Sequence, residues 1–212
     1  MVKARLIALV PSLTILVGTM WLVVSIGTFV LLTSDETLIV LWSYPFFLSF
    51  IPMLFAIIGT RFRYQQSAVG MGRFGLALSV VGCAGVIVFM LATILFGVAP
   101  SGIDQAPWVN YVAVACILSI RIGYILFGIE VLHHRLLPRW NLLPLLLGST
   151  LVLSLPLDWF GVPAFLSLPS QLNIPLLHFA ITGACWVLLG MALIDQKREP
   201  EPGAAPPIPA NE

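Results

Sequence analysis

One arginine and three histidines are the side chains of this sequence whose type and position could do chemistry inside an apolar protein. Arg121 lies near the middle of the apolar run from Val109 to Leu132, which is about long enough to cross a bilayer once. A charge at that depth is costly, and intramembrane charges normally face the interior of a helix bundle and pair with other groups. Arg121 is therefore the first candidate for a functional or structural site.

The histidines do not have the arrangement of a metal or haem site. His133 and His134 are adjacent at the end of one apolar run and point about 100° apart around a helix, so they cannot flank one haem. We expect an interfacial pair there, near a helix C-terminus, where a partial positive charge is favourable. His178 lies near the start of the last apolar run, at the other end of the bundle from His133 and His134. We expect it to pack between helices and bond a hydroxyl or a backbone carbonyl. We predict no metal and no cofactor.

Familiar catalytic motifs are missing from the sequence. It contains no GxSxG, HExxH or Walker A motif, and no lysine lies inside an apolar run. The three cysteines, Cys83, Cys116 and Cys185, have no metal-binding spacing, and we interpret them as small buried hydrophobes. An intramembrane enzyme should gather Asp, Glu or His at one depth, and this chain does not. The sequence favours a non-enzymatic protein.

The elements that must position Arg121 are membrane helices. Hydrophobic residues make up 59% of the chain and charged residues 9%, against about 45–50% and about 25% in soluble domains. Such a chain cannot cover its own surface in water, and it is too apolar to be disordered. Because barrel-like alternation is absent, we predict an all-α polytopic bundle of six transmembrane helices in residues 1–195. Residues 196–212 form a proline-rich tail that we expect to be disordered and cytoplasmic.

Six apolar segments, closed by charges or by Pro and Gly turns, give this count. They run from about Leu6 to Leu32, Thr37 to Thr60, Phe74 to Val98, Val109 to Leu132, Asn141 to Leu157 and Pro175 to Ile194. The fifth is short and is followed by an apolar stretch broken by prolines. For residues 158–173 we predict a short amphipathic element in the outer interface, with a re-entrant segment as the alternative.

The basic residues indicate the orientation of the bundle. All ten lysines and arginines except Arg121 flank the spans on one side, and the opposite loops carry acidic residues only. The positive-inside rule places both termini in the cytoplasm, as in a bacterial inner membrane protein. The residues that we expect at lipid headgroups or in the interface are Arg61, Arg63, Arg73, Arg135, Arg139 and Trp140. Nucleic-acid binding would need an exposed basic domain, which the sequence lacks.

Arg121 should point into the bundle together with Tyr124, which follows three residues later on the same helical face. Glu130 is about 180° around the helix and about 13.5 Å along it, so it cannot be the partner of Arg121. Arg121 could instead bind an anion or a substrate, or its side chain could extend outward to a carboxylate such as Asp158.

The second span offers an acceptor for Arg121. Pro52 has no N–H to donate to the carbonyl of Leu48, so that oxygen is free near the midplane. Ser49 is its neighbour, and Tyr44 lies one turn away. We hypothesise that Arg121 caps this proline-opened turn and clamps the fourth helix to the second.

Two further patterns concern packing and resemblance. Gly75, Ser79 and Cys83 recur every four residues in the third span, which predicts close helix packing, with a lateral dimer as the alternative. The "LPRW" junction at residues 137–140 and "GRFGLALSVVG" at residues 72–82 resemble segments of uncharacterised bacterial six-helix membrane proteins of the domain-of-unknown-function type. That resemblance implies a compact bundle and brings no catalytic residues.

Two functions are compatible with these features. The favoured one is a non-enzymatic membrane protein that acts through lateral helix packing, as an accessory subunit of a larger membrane complex. The alternative is a small transporter or carrier with an internal anion or polar-substrate site around Arg121. The expected partners are membrane lipids and other membrane subunits or a second copy, and no nucleic acid.

The one-sided basic residues predict a topology that reporters can test. A reporter fused after Glu212 should be cytoplasmic, and a cysteine placed at Ser101 should react with a reagent that cannot cross the membrane. An external C-terminal reporter together with an unreactive position 101 would contradict the six-span arrangement.

Overall fold

Long α-helices make up most of the part of the chain that the structure describes. The computed structural model describes residues 2–31, 45–65, 70–95, 107–137, 140–150 and 170–195. The helices are α1 (Val2–Leu31), α2 (Phe50–Arg63), α3 (Met71–Leu95), α4 (Pro107–His134), α5 (residues 143–150) and α6 (Ser170–Asp195). No strand occurs in these ranges, so the predicted all-α class is confirmed there.

Five of the described helices are long and apolar enough to cross a membrane. They correspond to five of the six predicted spans. The predicted span from Asn141 to Leu157 is described only as far as residue 150, so the count of six stays a prediction. Residues 158–169 and the tail at 196–212 lie outside the described ranges.

The sixth helix begins earlier than the sequence indicated. It starts at Ser170, whereas Pro175 was the predicted first residue. The last four positions of the predicted interfacial segment at 158–173 are therefore helical. Pro175 is the sixth residue of this helix and therefore lies beyond its first turn. A proline inside a membrane helix is tolerated when neighbouring groups satisfy the backbone carbonyl that it leaves free, so Pro175 does not mark where the helix begins.

Neighbouring helices in the sequence pack against each other, and the last returns to the first. Helix α1 packs against both α2 and α6, and α3 packs against α2 and α4. Helix α5 lies against α4 at Gly128 and Gly148. It meets α6 where Thr182 donates a hydrogen bond to Thr150. The six helices thus surround a common interior.

The connection between α4 and α5 is short and internally bonded. Arg135 ends α4 in the left-handed conformation, at φ 49°, which is a common way to terminate a helix. The side-chain oxygen of Asn141 accepts a hydrogen bond from the Leu137 N–H at 2.8 Å. This turn returns the chain directly along α4, so α5 runs beside it.

The basic residues gather at one end of the bundle. Lys3 at the start of α1 donates to Gln65 just after α2, at 3.0 Å. Arg63 at the end of α2 donates to the carbonyl of Leu193 near the end of α6, at 3.4 Å. The start of α1 and the ends of α2 and α6 therefore lie side by side, with Lys3 and Arg63 at this end, as the one-sided charge pattern predicts.

The stripe of small residues on α3 is used inside the bundle. A side chain at Gly75 would collide with the backbone of α4 at Gly123. Ser79 donates to the carbonyl of Ile120 at 3.1 Å, and the thiol of Cys83 donates to the carbonyl of Phe50 at 3.2 Å. The packing interpretation is therefore confirmed, and this stripe is not open for a lateral dimer.

Close approach of α4 and α5 predicts a sensitive glycine. A Cβ at Gly148 would meet the backbone N of Ile125 at 2.6 Å and the carbonyl of Arg121 at 2.8 Å. Gly148→Val should force the helices apart and lower the free energy of unfolding by about 1–3 kcal/mol. Thermal unfolding in detergent would show a lower midpoint. Leu142→Val, at an exposed position just before α5, is the control and should leave the midpoint unchanged.

Candidate functional site

Arg121 occupies the centre of the bundle. It stands at the midpoint of the 28-residue helix α4, about 20 Å from either end at 1.5 Å per residue. Its side chain is only 6% exposed, and Tyr124 on the same face is 1% exposed. The predicted inward orientation of this face is confirmed.

The guanidinium of Arg121 bonds to two other helices. Nη1 donates to the carbonyl of Leu147 at 2.8 Å and to Oγ1 of Thr150 at 2.9 Å, both on α5. Nη2 lies 2.9 Å from Nε2 of His178 on α6. Because arginine is only a donor, Nε2 must accept, and the proton of the neutral imidazole is assigned to Nδ1.

A fourth contact adds α1 to this arrangement. The Cζ of Arg121 lies 5.6 Å from the ring of Trp21, within the range of a cation–π interaction. Thr182 on α6 donates to Thr150 at 3.2 Å, so the hydroxyl that accepts from Arg121 is itself held in place. Arg121 therefore links α4 to α1, α5 and α6.

The predicted acceptor for Arg121 is wrong. Leu48 is 48% exposed, and its carbonyl is not among the groups to which Arg121 donates. Ser49 is buried, but its hydroxyl donates to the carbonyl of Phe46. Close contacts at Gly148 bring the backbone of α5 against α4 at Arg121. The acceptor is therefore the carbonyl of Leu147, and not the proline turn. Tyr44 and Asp158 lie outside the described residues.

His178 bonds Arg121, where the sequence predicted a hydroxyl or a backbone carbonyl. It also lies against the backbone of Thr150, so the expected backbone neighbour is present. The difference follows from the earlier start of α6. His178 is two turns inside the helix, at a depth where Arg121 can reach it.

The other predicted site residues lie away from Arg121. Glu130 is buried and accepts a hydrogen bond from the N–H of Gly72, where a carboxylate stabilises the first turn of α3. His133 and His134 are exposed side by side, with ring centroids 4.9 Å apart. In the described ranges, no three His, Cys, Asp or Glu side chains form a metal-binding group.

The predicted headgroup residues lie at or near the surface of the basic end. Arg61, Arg73 and Arg135 are exposed, and so is Trp140 in the turn after α4. Arg63 is partly buried against α6, and Arg139 lies outside the described residues. The described residues of this set form the rim of the bundle and take no part in the site around Arg121.

A cavity of about 210 Å³ lies beside the guanidinium. Its walls are mainly aromatic and aliphatic and come from every described helix except α3. The lining residues are Trp21, Phe46, Phe50, Met53, Ile117, Ile120, Arg121, Tyr124, Leu147, His178, Phe179 and Trp186. Edge-to-face contacts hold the aromatic walls, with ring centroids 5.1 Å apart for Trp21 and Phe46.

Two polar atoms around this cavity have no hydrogen-bond partner among the described residues. They are Nε1 of Trp21 and the hydroxyl of Tyr124. Trp21 is 4% exposed and Tyr124 is 1% exposed, so water does not bathe these groups freely. An unsatisfied buried donor costs about 1–3 kcal/mol. Two residues of the cavity wall thus carry buried donors that have no partner in the described part of the chain.

The guanidinium also has unused donors. Three of the five N–H groups of an arginine donate to Leu147, Thr150 and His178, which leaves two. The lining residues in the described part of the chain include no carboxylate and no thiol. The arrangement is thus suited to holding a group rich in hydrogen-bond acceptors.

Sequence reasoning missed Trp21, Leu147 and Thr150 as parts of this site. One signal was present for Trp21, because tryptophan in membrane proteins is enriched at the interfaces and this residue lies deep within an apolar run. No sequence pattern marks Leu147, because it contributes a backbone carbonyl.

The contacts of Arg121 predict a large effect on stability. Arg121→Leu removes the donor that the carbonyl of Leu147, the hydroxyl of Thr150 and the ring of His178 share. The first two keep the hydrogen bond from Thr150 to Leu147, whereas Nε2 of His178 loses its partner, at about 1–3 kcal/mol. The unfolding midpoint in detergent should fall by several degrees, as about 1 kcal/mol shifts it by about 2–4 °C in proteins near this size. Arg121→Lys should restore part of the loss, since lysine lacks the forked donor geometry.

Arg135→Leu is the matched control for those variants, because Arg135 is an exposed arginine at the end of the same helix. It should leave the midpoint unchanged. A midpoint of Arg121→Leu equal to that of the unaltered protein would show that the bundle does not depend on this residue.

Comparisons with protein family models, with curated proteins and with solved structures find no match for this chain. The resemblance at residues 72–82 and 137–140 to uncharacterised six-helix membrane proteins stays a prediction. The function has to be argued from the geometry around Arg121.

Proposed function

We propose that this chain is a multi-pass protein of the cell membrane, with both termini in the cytoplasm, that serves as a small carrier. Its ligand is held inside the bundle by Arg121, Tyr124 and Trp21 through hydrogen bonds to acceptor atoms. The observation that carries this proposal is the pair of buried, unpartnered donors on Tyr124 and Trp21 beside a cavity and a charged guanidinium.

The position of the cavity supports a carrier. Arg121 lies midway along α4, and the cavity is surrounded by α1, α2, α4, α5 and α6. Binding sites near the midplane, at the meeting of several helices, are typical of secondary transporters. Ionisable residues at such a depth mark substrate or ion pathways in many membrane proteins.

The energetics of the site also support binding. A bundle that needed only stability would have phenylalanine in place of Tyr124, because the ring packs against Trp186 at 5.3 Å and the hydroxyl has no described partner. Donors kept unsatisfied at a cost to stability are typical of functional sites. A ligand that accepts hydrogen bonds would recover this cost.

Filling the cavity tests the proposal directly. Small single-ring probes that carry acceptor atoms, benzoate and benzamide, should bind the purified protein and change its tryptophan fluorescence, because Trp21 and Trp186 line the cavity. Ile117→Phe places a larger side chain in the cavity and should abolish binding. Ile122→Phe, on the exposed face of the same helix, should bind as before. Equal binding by both variants would place the probes elsewhere and refute the site.

The hydroxyl of Tyr124 should contribute to binding and not to stability. We expect Tyr124→Phe to weaken binding about tenfold, which corresponds to about 1.4 kcal/mol and is typical of one hydrogen bond in a buried site. Its unfolding midpoint without ligand should be unchanged or higher, because the variant removes an unsatisfied polar atom. A lower midpoint with unaltered binding would assign this hydroxyl to the fold.

A second candidate function is that of an accessory subunit that associates laterally with other membrane proteins. It is favoured by a row of exposed apolar side chains at seven-residue intervals on α3, namely Phe74, Val81, Val88 and Leu95. Seven-residue spacing suits packing against a partner helix. A cysteine at position 88 should then crosslink to one defined partner in membranes, and a cysteine at exposed Met191 on α6 is the control.

A further inference from the structure

We infer that the ligand of the Arg121 cavity is a small organic monoanion, a carboxylate whose apolar body is about the size of one six-membered ring. This inference rests on the proposed carrier function and adds the charge and the size of the ligand. Both follow from the residues that surround the cavity.

The charge of the ligand follows from the charge of its surroundings. The three acceptors of Arg121 are a backbone carbonyl, a hydroxyl and an imidazole nitrogen that must be unprotonated to accept. The only acidic residues in the described ranges are Glu130 and Asp195. Glu130 bonds the start of α3, and Asp195 is the last residue of α6. The positive charge of Arg121 is thus not neutralised by these residues, and burial of an unpaired charge is unfavourable. A bound anion would neutralise it.

A single negative charge fits better than two. Among the described lining residues, Arg121 is the one cationic side chain, and most others are aromatic or aliphatic. A dianion such as sulfate would carry a second charge with no described partner into apolar surroundings. A cation would be repelled by the guanidinium, and the positive end of a zwitterion would meet no carboxylate among these lining residues.

The unused donors suit a carboxylate. Two N–H groups of Arg121 have no partner among the described residues after its three hydrogen bonds. The hydroxyl of Tyr124 and the N–H of Trp21 are further unpartnered donors on lining residues, and an ionised carboxylate accepts hydrogen bonds without donating any. Arginine can hold a carboxylate through two parallel hydrogen bonds, which would fix the orientation of the ligand.

The volume of the cavity limits the body of the ligand. It measures about 210 Å³, whereas an apolar cavity of about 150 Å³ in another protein holds benzene. The difference is room for a carboxylate group beside one ring, which is the basis of the size that we infer. The aromatic walls formed by Phe46, Phe179 and Trp186 suit the faces and edges of a planar ring.

Benzoate and benzamide form the matched pair that tests the charge. They have nearly the same shape and differ in the negative charge, since benzoate is ionised at neutral pH. We expect the purified protein to bind benzoate at least tenfold more tightly than benzamide, with Ile117→Phe in the same detergent to correct for partition into micelles. Arg121→Gln should remove the preference for benzoate. If that variant does not fold, the ratio of the benzoate and benzamide affinities of the unaltered protein decides whether the ligand is an anion.

The size is tested with 2-naphthoate, which has the same head group and a second ring. It should bind at least tenfold more weakly than benzoate. If benzamide binds as tightly as benzoate and this binding is lost in Ile117→Phe, the inference of a monoanion is overturned. The carrier proposal would still stand in that case. Naphthoate binding as tightly as benzoate would overturn the size limit. Binding of neither benzoate nor benzamide would overturn both the inference and the carrier proposal.

Discussion

The hydrogen bonds of Arg121 are the interaction on which the interior of this bundle depends. One guanidinium reaches a backbone carbonyl and a hydroxyl on α5 and an imidazole on α6, and it lies against an indole on α1. Helix α5 has only the short described stretch at residues 143–150, and glycines let it approach α4 closely enough for its backbone to serve as an acceptor. The buried charge thus requires the helices to come together, and the small residues allow it.

The same residue lies at the wall of the internal cavity. The cavity is found where large aromatic rings meet the guanidinium. Tyr124 and Trp21 bury their rings against neighbours and leave their polar atoms without described partners. The rings can pack while the polar atoms stay without described partners, because tyrosine and tryptophan have an apolar body and a polar tip.

The periphery of the bundle follows different physical rules from its interior. The outward faces of the long helices carry large apolar side chains, as expected for contact with lipid or with other membrane helices. The basic residues surround one end, where Lys3 and Arg63 bond to the termini of neighbouring helices. Glu130 occupies the same end and stabilises the start of α3. Arg61, Arg73 and Arg135 are exposed at this end and need no buried partner, whereas the charge of Arg121 does.

The sequence by itself determined the helical class, five of the span-length helices and the inward face of α4, because length, hydropathy and helical spacing are local properties of the chain. It also identified Arg121 as the central residue, because a charged residue inside an apolar run can be recognised from the sequence without knowledge of the fold. The partners of Arg121 were decided only by the tertiary structure. Leu147 contributes a backbone atom that every residue possesses, and Thr150 and His178 become neighbours only through the glycine contacts of α5 and the early start of α6. The proline turn at Leu48 offered a free carbonyl, but which free acceptor lies within reach of a given donor depends on how helices distant in the sequence pack together.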